Sequence, residues 1–327
     1  MASETSSRQA RRQILGPEGP TWLALAGCYT LWAVTLWQAQ VLGLLAMVPG
    51  ALAVAFHSSL QHEIVHGHPT RNRLLNEALV FPALGLFIPY RRFRDLHLKH
   101  HNDQRLTDPY DDPESYYLEI ADWWQRRGLL RVLLLWNQTF AGRMVLGPPL
   151  SLWALWRGDF ARWRAGKRGI AGTYLRHVLG LVPVAAAIWA SGMSPWLYVF
   201  GIAMPGMSLI MVRSYIEHRA ETEVDHRTAI VDAHWFWRLL FLNNNFHAVH
   251  HAEPGLPWYK LRARWLDDQQ GVLARNGGYY VPGYGAVLRW WLFTRREPVV
   301  HPFVGHDGPE DKRPVPAQIA REKAATS

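Results

Sequence analysis

The chain of 327 residues contains a single cysteine, Cys28. One thiol excludes a disulfide framework and any Cys-x-x-Cys zinc or iron–sulfur site. Cys28 stands inside an apolar run, where a packed core thiol is the ordinary role. Acidic residues are also short: 26 Asp and Glu face 35 Lys and Arg, a formal net charge of +9. A basic balance suits nucleic acid or an anionic membrane surface, but no nucleic-acid-binding motif accompanies it. Mean hydropathy is only -0.12, lower than a transporter's, although 49% of residues are hydrophobic and 17 are tryptophan. The apolar residues must therefore be gathered into a few segments beside a large polar remainder. That distribution suits a membrane protein with a large cytosolic part.

The N-terminal stretch does not read as a cleaved signal peptide. Residues 1–20 are polar and basic (Arg8, Arg11, Arg12) and close on Gly16-Pro17-Glu18-Gly19-Pro20, which breaks any helix. The apolar region that follows is far longer than a signal peptide's core and lacks a small-residue cleavage site. Four apolar runs, 22–39, 41–60, 174–191 and 196–212, each approach the roughly 20 residues that cross a bilayer. The first two have almost no linker, and the last two are joined by Gly192-Met193-Ser194-Pro195, so each pair predicts a tight hairpin. Arg and Lys gather at the outer ends of both, which makes both termini cytosolic by the positive-inside rule. The expected architecture is an all-α integral membrane protein with four transmembrane helices in two hairpins and a cytosolic helical cap. Its membrane domain covers 21–293, after the 1–20 segment and before a polar, flexible tail at 294–327.

The connecting segments give further expectations. Residues 78–90 are apolar but too short to span, so they lie in the interface or dip in and return. Arg91, Arg92 and Arg94 read as contacts to lipid head groups. Asp108-Pro-Tyr-Asp-Asp-Pro-Glu114 reads as an acidic turn, solvated or paired with those arginines. Leu129–Trp156 carries Arg131, Arg143, Pro148 and Pro149, which suits one or two interfacial amphipathic helices better than a span.

Histidine is what the sequence has in quantity and in pattern. His62-Glu-Ile-Val-His66, His97-Leu-Lys-His100-His101 and His247-Ala-Val-His250-His251 form three clusters. Imidazoles at i, i+3 and i+4 share one helical face and converge on one point. Eight such groups exceed the four ligands of one zinc and suit two metals with four or five imidazoles each. Imidazole accepts iron, copper, zinc or nickel, although the lack of a nearby Cys disfavours thiolate-tuned copper. His62-Glu63-x-x-His66 alone is also the zinc-protease motif, with Glu63 as general base. A membrane protease has no use for the later clusters and needs an Asp-Gly ligand motif, which occurs here only as Asp307-Gly308 in the tail. His57, near the end of the second run, is a structural polar residue or a ligand. His218, at the end of the fourth, is a helix-end cap or a ligand. His226 and His234 have less support and stand as surface or supporting residues. Asn243-Asn244-Asn245 either orients an imidazole, holds a metal-bound water, or caps a helix.

The three clusters, in this order and alternating with two hairpins, resemble the histidine boxes of the membrane fatty acid desaturase and hydroxylase superfamily, in its bacterial form. The likeness covers roughly residues 20–270 and rests on three boxes together. It implies a helical, mushroom-shaped protein with a non-haem di-iron centre ligated by His62, His66, His97, His100, His101, His218, His247, His250 and His251. Glu217-His218 is similar to the extra histidine of that family, and Glu63, Glu217 and Asn244 are implied as residues that support the ligands. Ser214 stands where some members carry an Asn. The resemblance implies two iron ions, dioxygen as co-substrate, and a membrane lipid or acyl substrate that is desaturated. Hydroxylation, terminal-alkene-forming decarboxylation, or oxidation of a small non-lipid metabolite would use the same site. No His-Pro-Gly-Gly signature of a fused cytochrome b5 is present. Electrons would then come from an external ferredoxin- or rubredoxin-like carrier with its reductase, docked on the basic face. The implied location is a bacterial inner membrane, with the metal site cytosolic.

Overall fold

A computed structural model describes residues 18–102 and 105–304. Most of the expected N-terminal segment (1–17) and most of the tail (305–327) lie outside the described residues. The chain is mostly helical, and its one sheet among the described residues pairs Ile230–Val231 with Tyr280–Val281 in parallel.

Three helical stretches are long and apolar enough to cross a membrane: Ala39–Val65, Ile170–Ser191 and Leu197–Glu217. The first ends in helix α2 (Met47–Val65), the second is helix α5 (Ile170–Ser191), and the third ends in helix α6 (Met204–Glu217). The expected first span is a 19-residue helix, α1 (Gly19–Trp37), but it is not among the three. Thr21, Tyr29, Thr30, Thr35 and three tryptophans dilute its apolar character. It packs along α2, which in turn packs on α6. Glycines let α2 approach closely both α6 and the helical turn Leu197–Ala203 that leads into it. A Cβ at Gly206 would stand 2.5 Å from Val54 Cγ1, and one at Gly50 would stand 2.6 Å from Ile202 Cδ1. Neither distance is tolerated by real side chains.

The remaining helices include α3 (Tyr90–Asn102), the 25-residue α4 (Phe140–Arg164) and the short α7 (His247–Ala252). Leu129–Trp156 forms two helices, Gly128–Trp136 and α4, and α4 runs through Pro148 and Pro149. Its Arg143 is buried, with the guanidinium 4.2 Å from the centre of the Tyr116 ring.

Several expectations are corrected by packing. Residues 80–89, within the apolar stretch 78–90 expected to lie in the interface or dip in and return, run as turns bonded to the apolar helices. Ala83 N donates to Gly180 O at 3.1 Å, and Tyr198 Oη donates to Leu84 O at 2.9 Å. The three arginines are not free for lipid head groups. Arg91 holds Glu77 at 2.6 Å, Arg94 pairs with Asp95, and Arg92 is buried against Asp159 at 2.8 Å. Residues 294–304, expected to begin the flexible tail, are bonded to the backbone around Leu118 and Gln138. Leu118 N donates to Val299 O at 2.8 Å, His301 N donates to Leu118 O at 2.9 Å, and the His301 side chain is buried. Composition reads those residues as polar and Pro-containing, but the backbone pairing that anchors them is non-local.

Candidate metal centre

Each histidine cluster sits where a helix ends. His62 lies in the last turn of α2, and His66 caps its C-terminus. His97, His100 and His101 lie in the last two turns of α3. His218 caps α6, and α7 consists of little besides His247, His250 and His251. Helix C-termini carry partial negative charge, which favours a cation within their last turn. The approach to α7 is a sharp reversal in which Leu242 and Asn243 adopt positive φ of 48° and 54°. Asn tolerates that conformation better than most residues, and Asn243 Nδ2 fixes the turn by donating to Trp258 O at 3.0 Å.

The fold gathers all nine candidate histidines into two adjoining groups. His62, His66, His97, His101 and His250 form one, and His100, His218, His247 and His251 form the other; within each group, donor atoms lie within 4.8 Å of one another. In the first, the Nε2 atoms of His66 and His97 and those of His250 and His101 are 3.1 Å apart. In the second, His218 Nε2 is 3.1 Å from His100 Nε2 and 2.9 Å from His247 Nε2. Stacked rings of His101 and His251, with centroids 4.2 Å apart, join the groups. Two donors at right angles about one ion, each roughly 2.1 Å from it, stand about 3 Å apart. The donor sets therefore fit two metal ions.

Partners on the far side of the rings set their orientation. His97 Nδ1 pairs with Glu114 Oε1 at 2.7 Å, and His100 Nδ1 pairs with Asp112 Oδ1 at 2.8 Å. His247 Nδ1 faces Asn244 Oδ1 at 3.2 Å and Glu217 Oε1 at 3.3 Å. A proton held on Nδ1 by such an acceptor leaves the Nε2 lone pair turned toward the metal position. Glu217 is itself held by Arg213 Nε at 3.0 Å, and Asn244 Nδ2 reaches His62 Nε2 at 3.3 Å.

The electrostatics agree with ligation for most of the set. Burial, followed by the neighbouring imidazoles, pushes His66 down to about 3 and His101 down to about 2. Burial holds His218, His247, His250 and His251 well below the usual histidine range, again with other histidines adding to the effect. These rings are neutral at pH 7. His100 differs: burial opposes its charge, but Glu114 and Asp112 outweigh burial and raise it to about 9. Around Glu114 burial works upward, and His100 and His97 nonetheless hold its carboxyl well below the usual range.

Asp112 and Glu114 are the residues that sequence reading missed, since their turn was expected to be solvated or paired with arginines. Asp111 does pair with an arginine, Arg105, and Glu114 is about a third exposed, but Asp112 is buried. Both residues follow the second cluster by a dozen or so positions, within an Asp-Pro-Glu turn, and that proximity was the available signal. Glu63 is a correction of the opposite kind. Expected to support a ligand, it accepts from the Trp258 amide at 3.0 Å and lies 3.9 Å from His68 Nε2. His68 Nδ1 in turn meets Glu18 at 2.6 Å. Glu63 is thus committed to tying α2 to the start of α1 and to Trp258, which also deprives the zinc-protease reading of its base. His57 stays outside both groups, 3.4 Å from Tyr29 Oη. Ser214 Oγ is turned to Met211 Sδ at 3.6 Å. His234 caps a short helix, and neither it nor His226 belongs to a group.

A cavity of about 390 Å³ adjoins the centre. It is lined by His100, His101 and His251, drawn from both groups, and by the apolar Leu106, Val224 and Val249. The charged Asp225, Glu253, Arg264 and Arg275 line it as well.

No curated protein matches the chain. The family model for fatty acid desaturases matches residues 35–284, most of the chain and all three histidine clusters. With three apolar helices leading into clustered imidazoles, the chain belongs to the fatty acid desaturase family, a family of oxidoreductases.

Proposed function

We propose that the protein is an integral membrane enzyme that uses dioxygen to desaturate a fatty acyl chain. One iron ion is held by His62, His66, His97, His101 and His250, and a second by His100, His218, His247 and His251. The observation that carries this reading is the convergence of nine Nε2-bearing rings, from three distant clusters and His218, into two adjoining groups. A saturated chain offers no acidic proton, so acid–base groups alone cannot begin the reaction. The iron pair, when bound, supplies the oxidising power to remove hydrogen from an unactivated C–H bond. The reaction balances as two hydrogens lost from the substrate, with O2, two external electrons and two protons giving two waters.

The chain's own residues hold and shield this chemistry. Neutral, buried imidazoles offer lone pairs and keep bulk water from the oxidant. Asp112, Glu114, Glu217 and Asn244 hold the rings in one tautomer and orientation. The cavity against His100, His101 and His251 is the approach for the reacting carbon. Electrons come from a separate ferredoxin- or rubredoxin-like carrier, favoured by the +9 charge of the chain. Helix α1, uncharged over its 19 residues and packed along α2, serves as a fourth span. An even number of spans puts both termini on one side, and the basic residues at the outer ends make that side, with the metal centre, the cytosolic face of a bacterial inner membrane.

Metal analysis and product analysis test the proposal together. Purified protein should carry about two irons per chain, and cells expressing it with a reductase system should yield lipids two hydrogens lighter. A product one oxygen heavier would make the enzyme a hydroxylase on the same centre. A single zinc with no oxidised product would overturn the reading.

A further inference from the structure

His218 stands alone in the ligand set. Every other candidate histidine shares a helix end with at least one more, whereas α6 delivers only this one. Its ring also has less behind it. The Nδ1 atoms of His97, His100 and His247 face Glu114, Asp112 and Asn244. Nδ1 of His218 is buried and makes no hydrogen bond among the described residues, and the Arg227 carbonyl that acts on the ring already accepts from Arg219 N at 3.1 Å. The backbone beneath the ring is held instead. We propose that Arg296 is the positioning residue for His218, fixing the ring of this ligand through its main-chain carbonyl. This inference rests on the two-ion reading above.

Arg296 Nη2 donates to His218 O at 2.6 Å, and Tyr116 Oη donates to the same oxygen at 3.0 Å. The other arm of the fork, Nη1, donates to Tyr279 Oη at 2.7 Å, and Tyr279 Oη donates in turn to Ile216 O at 2.6 Å. One guanidinium thus reaches the end of α6 twice, directly at residue 218 and through a phenol at 216. The last carbonyls of a helix have no partner within it, and a planar cationic fork can hold two acceptors at once. His218 has already left the helix, with φ -127° and ψ 148°. Its bridge to Thr228 pairs Glu217 O with Ala229 N and Arg219 N with Arg227 O, which leaves the His218 carbonyl to Arg296 and Tyr116. Arg296 is itself anchored: its N donates to Gln138 O at 3.0 Å, an oxygen that also accepts from Tyr215 Oη at 2.9 Å. Its side chain is only 4% exposed, and Glu297 stands 3.8 Å from Nη1, beyond hydrogen-bonding distance. The charge is therefore spent on oxygens at the end of α6, in bonds about twice as strong as neutral ones. His218 Nε2 lies 3.1 Å from His100 Nε2 and 2.9 Å from His247 Nε2, so a shift of its backbone is felt in the four-histidine group.

The test uses the full chain loaded with isotopically labelled iron, with iron content, Mössbauer spectra and melting curves as readouts. Wild type should show two inequivalent iron signals. Arg296→Gln cannot span His218 O and Tyr279 Oη, so one signal should change or vanish while the other stays. The affinity for that one ion should fall about 10–100-fold. Arg296→Lys keeps the charge and one arm of the contact, and should recover part of the lost affinity. A merely structural role would move both signals together with the melting temperature, so equal loss of both overturns the assignment, as do two signals left unchanged. If Arg296→Gln does not fold, the comparison is made on Arg296→Lys, where one weakened signal supports the assignment and two unchanged signals overturn it. Absence of an iron pair from wild type overturns the two-ion reading itself; a wild-type pair untouched by both variants overturns only the positioning role.

Discussion

At the scale of single residues, the centre depends on imidazoles that give up protons on one side and hold them on the other. Burial and mutual repulsion keep most of the rings neutral, whereas two carboxylates hold His100 protonated up to about 9. Below that pH a bound ion must displace a proton from His100, so metal uptake competes with protonation. The sign follows: metal affinity rises with pH toward 9, and uptake at pH 7 releases about one proton from this residue. Metal titration of the apo protein with an indicator dye checks it, and uptake without proton release would contradict it. Asp112→Ala removes the acceptor behind His100 and should weaken metal binding by about 10–100-fold, measured by competition with a chelator. His250→Ala takes a donor from the five-histidine group, and unchanged product formation by this variant would refute the ligand set.

At the scale of elements, helices deliver the ligands and close contacts fix where the helices end. The α2–α6 contact fixes the ends of the helices that carry His62, His66 and His218, and Gly206 allows it, because a Cβ there would meet Val54 at 2.5 Å. Gly206→Val should destabilise the fold by about 1–3 kcal/mol through overpacking, seen as a lower melting temperature with earlier loss of metal. Arg92 and Asp159 tie α3, the carrier of the second cluster, to α4 through a buried ion pair. Removing one partner leaves the other charge buried and unpaired. Asp159→Ala should therefore cost about 3–5 kcal/mol, and a melting curve matching wild type would show the pair to be dispensable.

At the scale of the whole molecule, the arrangement depends on which side of the membrane each part faces. Leu44, exposed at the turn between α1 and α2, and Arg264, at the cavity, should face opposite compartments. The single, buried Cys28 makes cysteine labelling clean. In right-side-out bacterial vesicles an impermeant thiol reagent should label Leu44→Cys and spare Arg264→Cys; equal labelling of both would overturn the topology.

The sequence alone determined a good deal. The i, i+3, i+4 spacing is fixed by helix geometry, so the clustering of His97, His100 and His101, and of His247, His250 and His251, was legible from residue order. So were the apolar runs, because length and hydropathy are local properties, and His218 could be identified by resemblance at the end of the last run. Tertiary structure decided the rest. How nine imidazoles divide into five and four depends on contacts between residues such as His62 and His250, 188 positions apart by their numbering. No local pattern encodes that division; His97 and His101 go to one group while His100, between them on the same helix, goes to the other. Tertiary structure also turned Glu63 toward His68 and Trp258, and brought Asp112 and Glu114 behind the second cluster. A carboxylate's partner is settled by which groups packing brings within hydrogen-bonding reach, and sequence order does not carry that information.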